Sequence, residues 1–83
     1  MIMKMYSIKD EYNGFTSPIP VQNEESAIRY FKQQIESNPV LNLSPENFSF
    51  WEMGTFDTES GTYIQKATDI KKLKEGVEYA SKN

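Results

Sequence analysis

The chain contains no cysteine and no histidine. The first absence excludes disulfides and thiolate zinc sites; the second removes the commonest metal ligand and the side chain that shuttles protons near neutral pH. Neither a Cys–His nor a Ser–His pair for nucleophilic catalysis can be assembled. Glycine is sparse too. Gly14, Gly54, Gly61 and Gly76 are scattered, so there is no phosphate loop and no dinucleotide-binding fingerprint. No apolar run approaches the roughly 18 residues of a membrane span. The opening Met1-Ile2-Met3-Lys4-Met5-Tyr6 lacks the basic start and long apolar stretch of a signal peptide. These absences predict a soluble, intracellular protein that is not an enzyme, holds no cofactor or metal, and acts by binding.

What is present is small. Eighty-three residues suffice for one domain. A chain of this size buries only about 60% of its unfolded surface, and without disulfides or metal its net stability is marginal. A homo-oligomer, with a dimer foremost, or a bound partner is therefore expected. The net charge of −3 runs against a general nucleic-acid coat. The charge is uneven, however: residues 1–64 hold four bases against nine acids, whereas residues 65–83 hold five lysines against Asp69, Glu75 and Glu78.

Along the chain, Met1 to Ile8 alternates as an opening strand, ended by the turn signal Asp10-Glu11-Tyr12-Asn13-Gly14. Phe15 to Pro20 reads as an extended loop because it carries two prolines. Asn23 is an N-cap, Glu24 and Glu25 suit the first turn, and Ala27, Ile28, Phe31 and Ile35 recur at helical spacing, which predicts an amphipathic helix over 24–36 stopped by Asn38-Pro39. Ser44-Pro45-Glu46 reads as a single helical turn with proline at its first position. Phe48 to Phe56 is the most strand-like stretch, Asp57 to Gly61 a hairpin loop, and Thr62-Tyr63-Ile64 the start of a return strand. Ile70, Leu73, Val77 and Ala80 then recur at helical spacing, although Gly76 costs a helix about 1 kcal/mol relative to alanine.

The expected architecture is α+β: a small β-α-β-β sheet over residues 1–66 with one amphipathic helix packed on one face, followed by a lysine-bearing C-terminal helix or tail over 67–83. A right-handed crossover would set the first two strands parallel, with the hairpin antiparallel beside them. The other sheet face and the edges would be open, and an open edge is a pairing surface.

Three constellations bear on chemistry. Asp57 and Glu59 in the hairpin lack the spacing of a calcium loop and read as solvated turn residues. Phe48, Phe50, Trp51 and Phe56 resemble a stacking platform for unpaired bases, but no basic residue is interleaved and Glu52 sits among them. Phe50, Trp51 and Phe56 are therefore assigned to core packing and to a partner or self-association surface. Lys66, Lys71, Lys72, Lys74 and Lys82 form the basic cluster. They read either as a solvated helix face or, for Lys66, Lys71, Lys72 and Lys74, as contacts to the phosphates of single-stranded DNA, weak and salt-sensitive.

The ordered set of features resembles the small non-structural protein of the gokushoviruses, single-stranded DNA microviruses of bacteria. The similarity runs from Met3-Lys4-Met5-Tyr6-Ser7-Ile8-Lys9-Asp10, through Ala27-Ile28-Arg29-Tyr30-Phe31 and Ser44-Pro45-Glu46-Asn47-Phe48, to the hairpin Met53-Gly54-Thr55-Phe56-Asp57-Thr58-Glu59-Ser60-Gly61. It covers about residues 3–64; the lysine-bearing end has no counterpart in it. The resemblance implies a protein outside the mature capsid, in the host bacterial cytoplasm, that assists genome replication or packaging and brings no catalytic residues. Arg29 matches a family position and would meet a phosphate, a partner carboxylate or a nearby acid of its own chain. Two functions follow as expectations: an accessory protein that touches single-stranded DNA as a homo-oligomer, or an adaptor that binds a host or phage protein through an open sheet face or edge.

Overall fold

The computed structural model describes residues 1–80. In chain order the elements are β1 (Ile2–Asp10), β2 (Gly14–Phe15), β3 (Ile19–Val21), α1 (Glu24–Ser37), α2 (Pro39–Leu43), a 3-10 turn (Pro45–Asn47), β4 (Phe48–Asp57), β5 (Tyr63–Ile64), a second 3-10 turn (Ala67–Asp69), β6 (Lys71–Glu75) and a third (Gly76–Tyr79). All strand pairs are antiparallel and belong to one six-stranded sheet. The class is mixed α+β, as expected.

β1 and β4 form the centre, paired from Ile2–Asp57 to Asp10–Phe48. β2 and β3 together make one interrupted edge strand against β1, and β5 and β6 do the same against β4. Gly14 and Gly61 close the two hairpins with φ of 85° and 74°, a region open to glycine at no steric cost. The carboxylate of Asp10 accepts the Tyr12 N–H, and that of Asp57 accepts the Glu59 N–H, so each turn is closed by its own aspartate. These hydrogen bonds hold both carboxyls below the usual carboxylate range.

α1 begins where expected: the Asn23 side chain accepts the Ser26 N–H at 2.8 Å. Ala27, Phe31 and Ile35 turn its apolar stripe onto Tyr6, Ile8, Phe48 and Phe50 of the sheet, and Leu41 of α2 closes the end of this core. Phe50 lies between two parallel rings, Tyr6 at 5.6 Å and Phe31 at 5.0 Å between centroids, with Tyr79 edge-on to Phe31 at 6.1 Å. Each aromatic pair adds about 0.5–1.5 kcal/mol beyond its burial.

Three expectations are corrected. First, the opening strand and the aromatic strand are antiparallel, not parallel. β3 and β4 run in the same direction on either side of β1, so the α1 crossover joins that pair instead. Second, the proline-containing loop holds β3: Pro20 sits opposite Met5 on an edge strand, where a missing N–H is tolerated. Third, the lysine-bearing segment is not a helix. Lys71–Glu75 pairs with Ser49–Glu52. Its helical spacing is coincidental, because of Ile70, Leu73 and Val77 the first and last are exposed and Leu73 alone packs on the core. Lys82 lies outside the described residues. Among the described residues, no helix is long and apolar enough to cross a membrane.

Gly76 is required by a close approach. A Cβ there would lie 2.2 Å from the Pro45 carbonyl oxygen and 2.9 Å from that of Phe48. Gly76→Ala is expected to cost about 1–3 kcal/mol as a backbone clash, read as a lower denaturant midpoint at unchanged slope; an unchanged midpoint would refute the packing described.

The Tyr6 hydroxyl is buried without a hydrogen-bond partner among the described residues. Burial, with Glu52 and Glu24 nearby, raises its pKa above the ordinary 10.0. The folded state therefore favours the neutral phenol, and this contribution to stability is complete below pH 10.0 and lost as pH rises through the folded value. Tyr6→Phe removes an unpaired group while keeping the ring stack. It is expected to raise stability by about 1 kcal/mol and to flatten the alkaline decline, both measured by chemical denaturation across pH.

Candidate functional site

Side chains alternate across a strand. With Phe50 fixed in the core, Trp51 is turned to the opposite face of the sheet, where no helix of the described residues packs. The cross-strand registers decide what surrounds it. Trp51 is opposite Ser7 on β1 and Lys72 on β6, and Lys9 is opposite both Ser49 and Phe15. The result is a cluster drawn from four strands. Phe15 meets Trp51 edge-on at 5.6 Å. The Lys9 ammonium lies 5.5 Å from the Phe15 ring centre and 5.6 Å from that of Trp51, and the Lys72 ammonium lies 5.7 Å from Trp51.

A small polar layer sets the orientation of these rings. Ser49 is buried, and its Oγ accepts the Trp51 Nε1–H at 2.8 Å. Ser7 is buried too; its Oγ donates to the Thr16 carbonyl at 2.6 Å and lies 3.1 Å from Thr16 Oγ1, which also accepts the Ile8 N–H. The second set ties the arm that carries Phe15 to the centre of the sheet. Lys72 is hydrogen-bonded to Glu75 across 2.5 Å, which raises its pKa above 10.5 and keeps it cationic at neutral pH. That pair is exposed and screened by solvent, so the ammonium is free to exchange its partner.

The residues singled out from sequence are distributed unequally. Trp51 is half-buried and central to the cluster. Phe50 is wholly buried and shapes the site only from behind. Phe56 is opposite Met3 and Tyr63 at the far end of the sheet. Of the four lysines, only Lys72 reaches the cluster. Lys71 is opposite Glu52, Lys74 lies 3.6 Å from Glu78, and Lys66 is exposed at the turn closed by Asp69. Arg29 pairs with Glu25 on its own helix at 3.5 Å.

Lys9 and Phe15 were missed. Their signal was present: a turn over residues 11–13 folds Phe15 back against Lys9, and pairing of the two long strands brings both to Trp51. The bases absent from the aromatic strand are supplied by its neighbours. Among the described residues, no group of three or more Asp, Glu, Cys or His side chains is placed to hold a metal ion.

The family model described as "Phage ORF5 protein" matches residues 3–79. No curated protein and no solved structure matches the chain. The chain belongs to the Phage ORF5 protein family, and the match extends through the lysine-bearing segment that the sequence resemblance left out.

Ser49→Ala would release the indole from its hydrogen bond. The expected outcome is a loss of about 1 kcal/mol and a shifted, broadened Trp51 emission with the fold retained; emission identical to that of the parent would show that Ser49 does not orient the ring.

Proposed function

We propose that this member of the phage ORF5 family is a non-enzymatic accessory protein of a gokushovirus-type single-stranded DNA phage. It assists genome replication or packaging in the host cytoplasm through weak contact with single-stranded DNA, and does so as a homodimer. The observation that carries the reading is the placement of Trp51 between Lys9 and Lys72 on the uncovered sheet face, with Phe15 edge-on to it beyond Lys9. An unpaired base stacks on the indole, a contact worth about 1–3 kcal/mol and indifferent to base identity. The two ammonium groups leave the ring and take the flanking phosphates. Duplex DNA keeps its bases paired and stacked and offers no ring to Trp51.

The energetics match a weak binder. Two phosphate contacts on a single strand give a salt slope of about −1.4. The net charge of −3 opposes any wider electrostatic attraction. Several copies on one strand are needed for useful occupancy, which is where self-association enters.

A second reading, an adaptor for a host or phage protein, is favoured by one observation. At the far end of the sheet Met1, Ile2, Tyr63 and Ile64 are 58%, 65%, 40% and 50% exposed. Light scattering of the pure protein separates the roles of that end. A dimer dissociated by Ile64→Asp assigns it to self-association, and a monomer unaffected by the change leaves it to a different protein.

The DNA reading is tested by fluorescence anisotropy with a short single-stranded oligonucleotide at low salt. The expected affinity is on the order of tens of micromolar, falling with salt at the slope above. Trp51→Ala should abolish it, and Lys9→Glu with Lys72→Glu should remove both the affinity and its salt dependence. Equal binding by the parent and Trp51→Ala would exclude the platform.

A further inference from the structure

The sheet edge is interrupted between β2 and β3, and a cleft of about 480 Å³ opens there between that arm and α1. Its floor is aromatic and aliphatic: Tyr6, Ile8, Leu41, Phe48 and Phe50. Its rim is polar: Asn13, Ser17, Tyr30, Gln34 and Asn38, with Asp10 the one charged residue among those described. Among the described residues, no lysine or arginine lines it. A phosphate or other anion therefore finds no counter-charge inside, whereas a flat neutral ring with a polar edge finds both an apolar bed and hydrogen-bonding partners.

The rim is partly organised in advance. The Asn38 Nδ2 donates to Gln34 Oε1 at 3.2 Å, which leaves the Gln34 NH₂ as a donor. Asp10 takes one hydrogen bond on each oxygen, from the Tyr12 N–H and the Asn13 Nδ2. These bonds fix the carboxylate and leave it lone pairs to accept more. Asp10 on β1 and Gln34 on α1 thus offer an acceptor and a donor to the same cleft.

Phe15 belongs to both sites: it lines the cleft and meets Trp51 edge-on at 5.6 Å. Ser7 and Thr16, which fasten the Phe15 arm, line the cleft as well. The cleft mouth is therefore continuous with the stacking platform, around the edge of the sheet. A strand held on Trp51 can turn its next base over this edge while its phosphates stay outside beside Lys9.

We propose that the cleft receives one unpaired base, a purine, from the strand stacked on Trp51, and so adds a base preference to an otherwise indifferent contact. The proposal rests on the single-stranded DNA reading of the open face. A purine is favoured because its two rings cover more of the apolar floor of a cleft of this volume than the single ring of a pyrimidine. Discrimination requires that the wrong base leave Gln34 or Asp10 without a partner.

The test uses the full chain and labelled single-stranded pentamers of thymidine in which the central base is adenine, guanine, cytosine or thymine. The expected result is binding about tenfold tighter for at least one purine than for thymine, the scale of one good base contact. Gln34→Ala should remove that preference without weakening binding to the all-thymine pentamer. Gln34→Trp, which fills the cleft, should do the same, with circular dichroism confirming the fold. Equal affinities for all four pentamers, or a preference that survives both variants, would overturn the cleft as a base pocket and leave the stacking platform standing. Failure of every pentamer to bind the parent protein would instead overturn the DNA reading and the pocket with it.

Discussion

Phe50 held between the parallel rings of Tyr6 and Phe31 is the contact on which the rest of the structure depends. It joins β1, β4 and α1 at one point in the middle of a chain too short to have a second core. Strand alternation then leaves no choice about Trp51, which must face the other way. With β4 fixed, the antiparallel registers of β1 and β6 deliver Ser7, Lys9 and Lys72 to the same face. Core packing on one side of the sheet thus sets the chemistry of the other. Loss of the Phe50 stack would unfold the protein and disperse the candidate site together.

The open face owes its order to small polar residues. Ser7 and Ser49 are each 2% exposed at the centre of the sheet. Buried hydroxyls are costly unless paired, and both are paired here, one with the Phe15 arm and one with the Trp51 indole. The rings are held before anything binds, which reduces the entropy lost on contact. The lysines are held more loosely, by an exposed carboxylate in one case and by ring faces in the other. Rigid rings with mobile cations suit a ligand whose bases are flat and whose phosphates vary in position. They suit a folded protein partner less well, since that would bring a fixed surface of its own.

Local signals in the sequence located most elements, and their failures have physical causes. Asn23, the stripe of Ala27, Phe31 and Ile35, Pro45 after Ser44, and Gly61 in the hairpin each act within a few residues, and each placed its element correctly. β3 was hidden by Pro20, because the rule against proline in strands relaxes at an edge, and edge position is a property of the whole sheet. Lys71–Glu75 was mistaken for helix because Ile70, Leu73 and Val77 imitate its period. Only the long-range pairing with β4, and the approach of Gly76 to the carbonyls of Pro45 and Phe48, decide otherwise. The candidate site was legible in part. Trp51 and Lys72 were singled out, but separately and for different roles. Their union with Lys9 and Phe15 depends on which strands are neighbours, and sequence spacing does not encode that directly.

The most direct measurement of the central claim is a heteronuclear NMR titration of the labelled protein with a short single-stranded oligonucleotide at low salt. The account predicts concerted, fast-exchange shifts of the Trp51 indole N–H and of the backbone amides of Lys9, Phe15 and Lys72, with the Ile2 and Ile64 end of the sheet unmoved. Shifts confined to that far end, or a spectrum unchanged by a large excess of the strand, would contradict it.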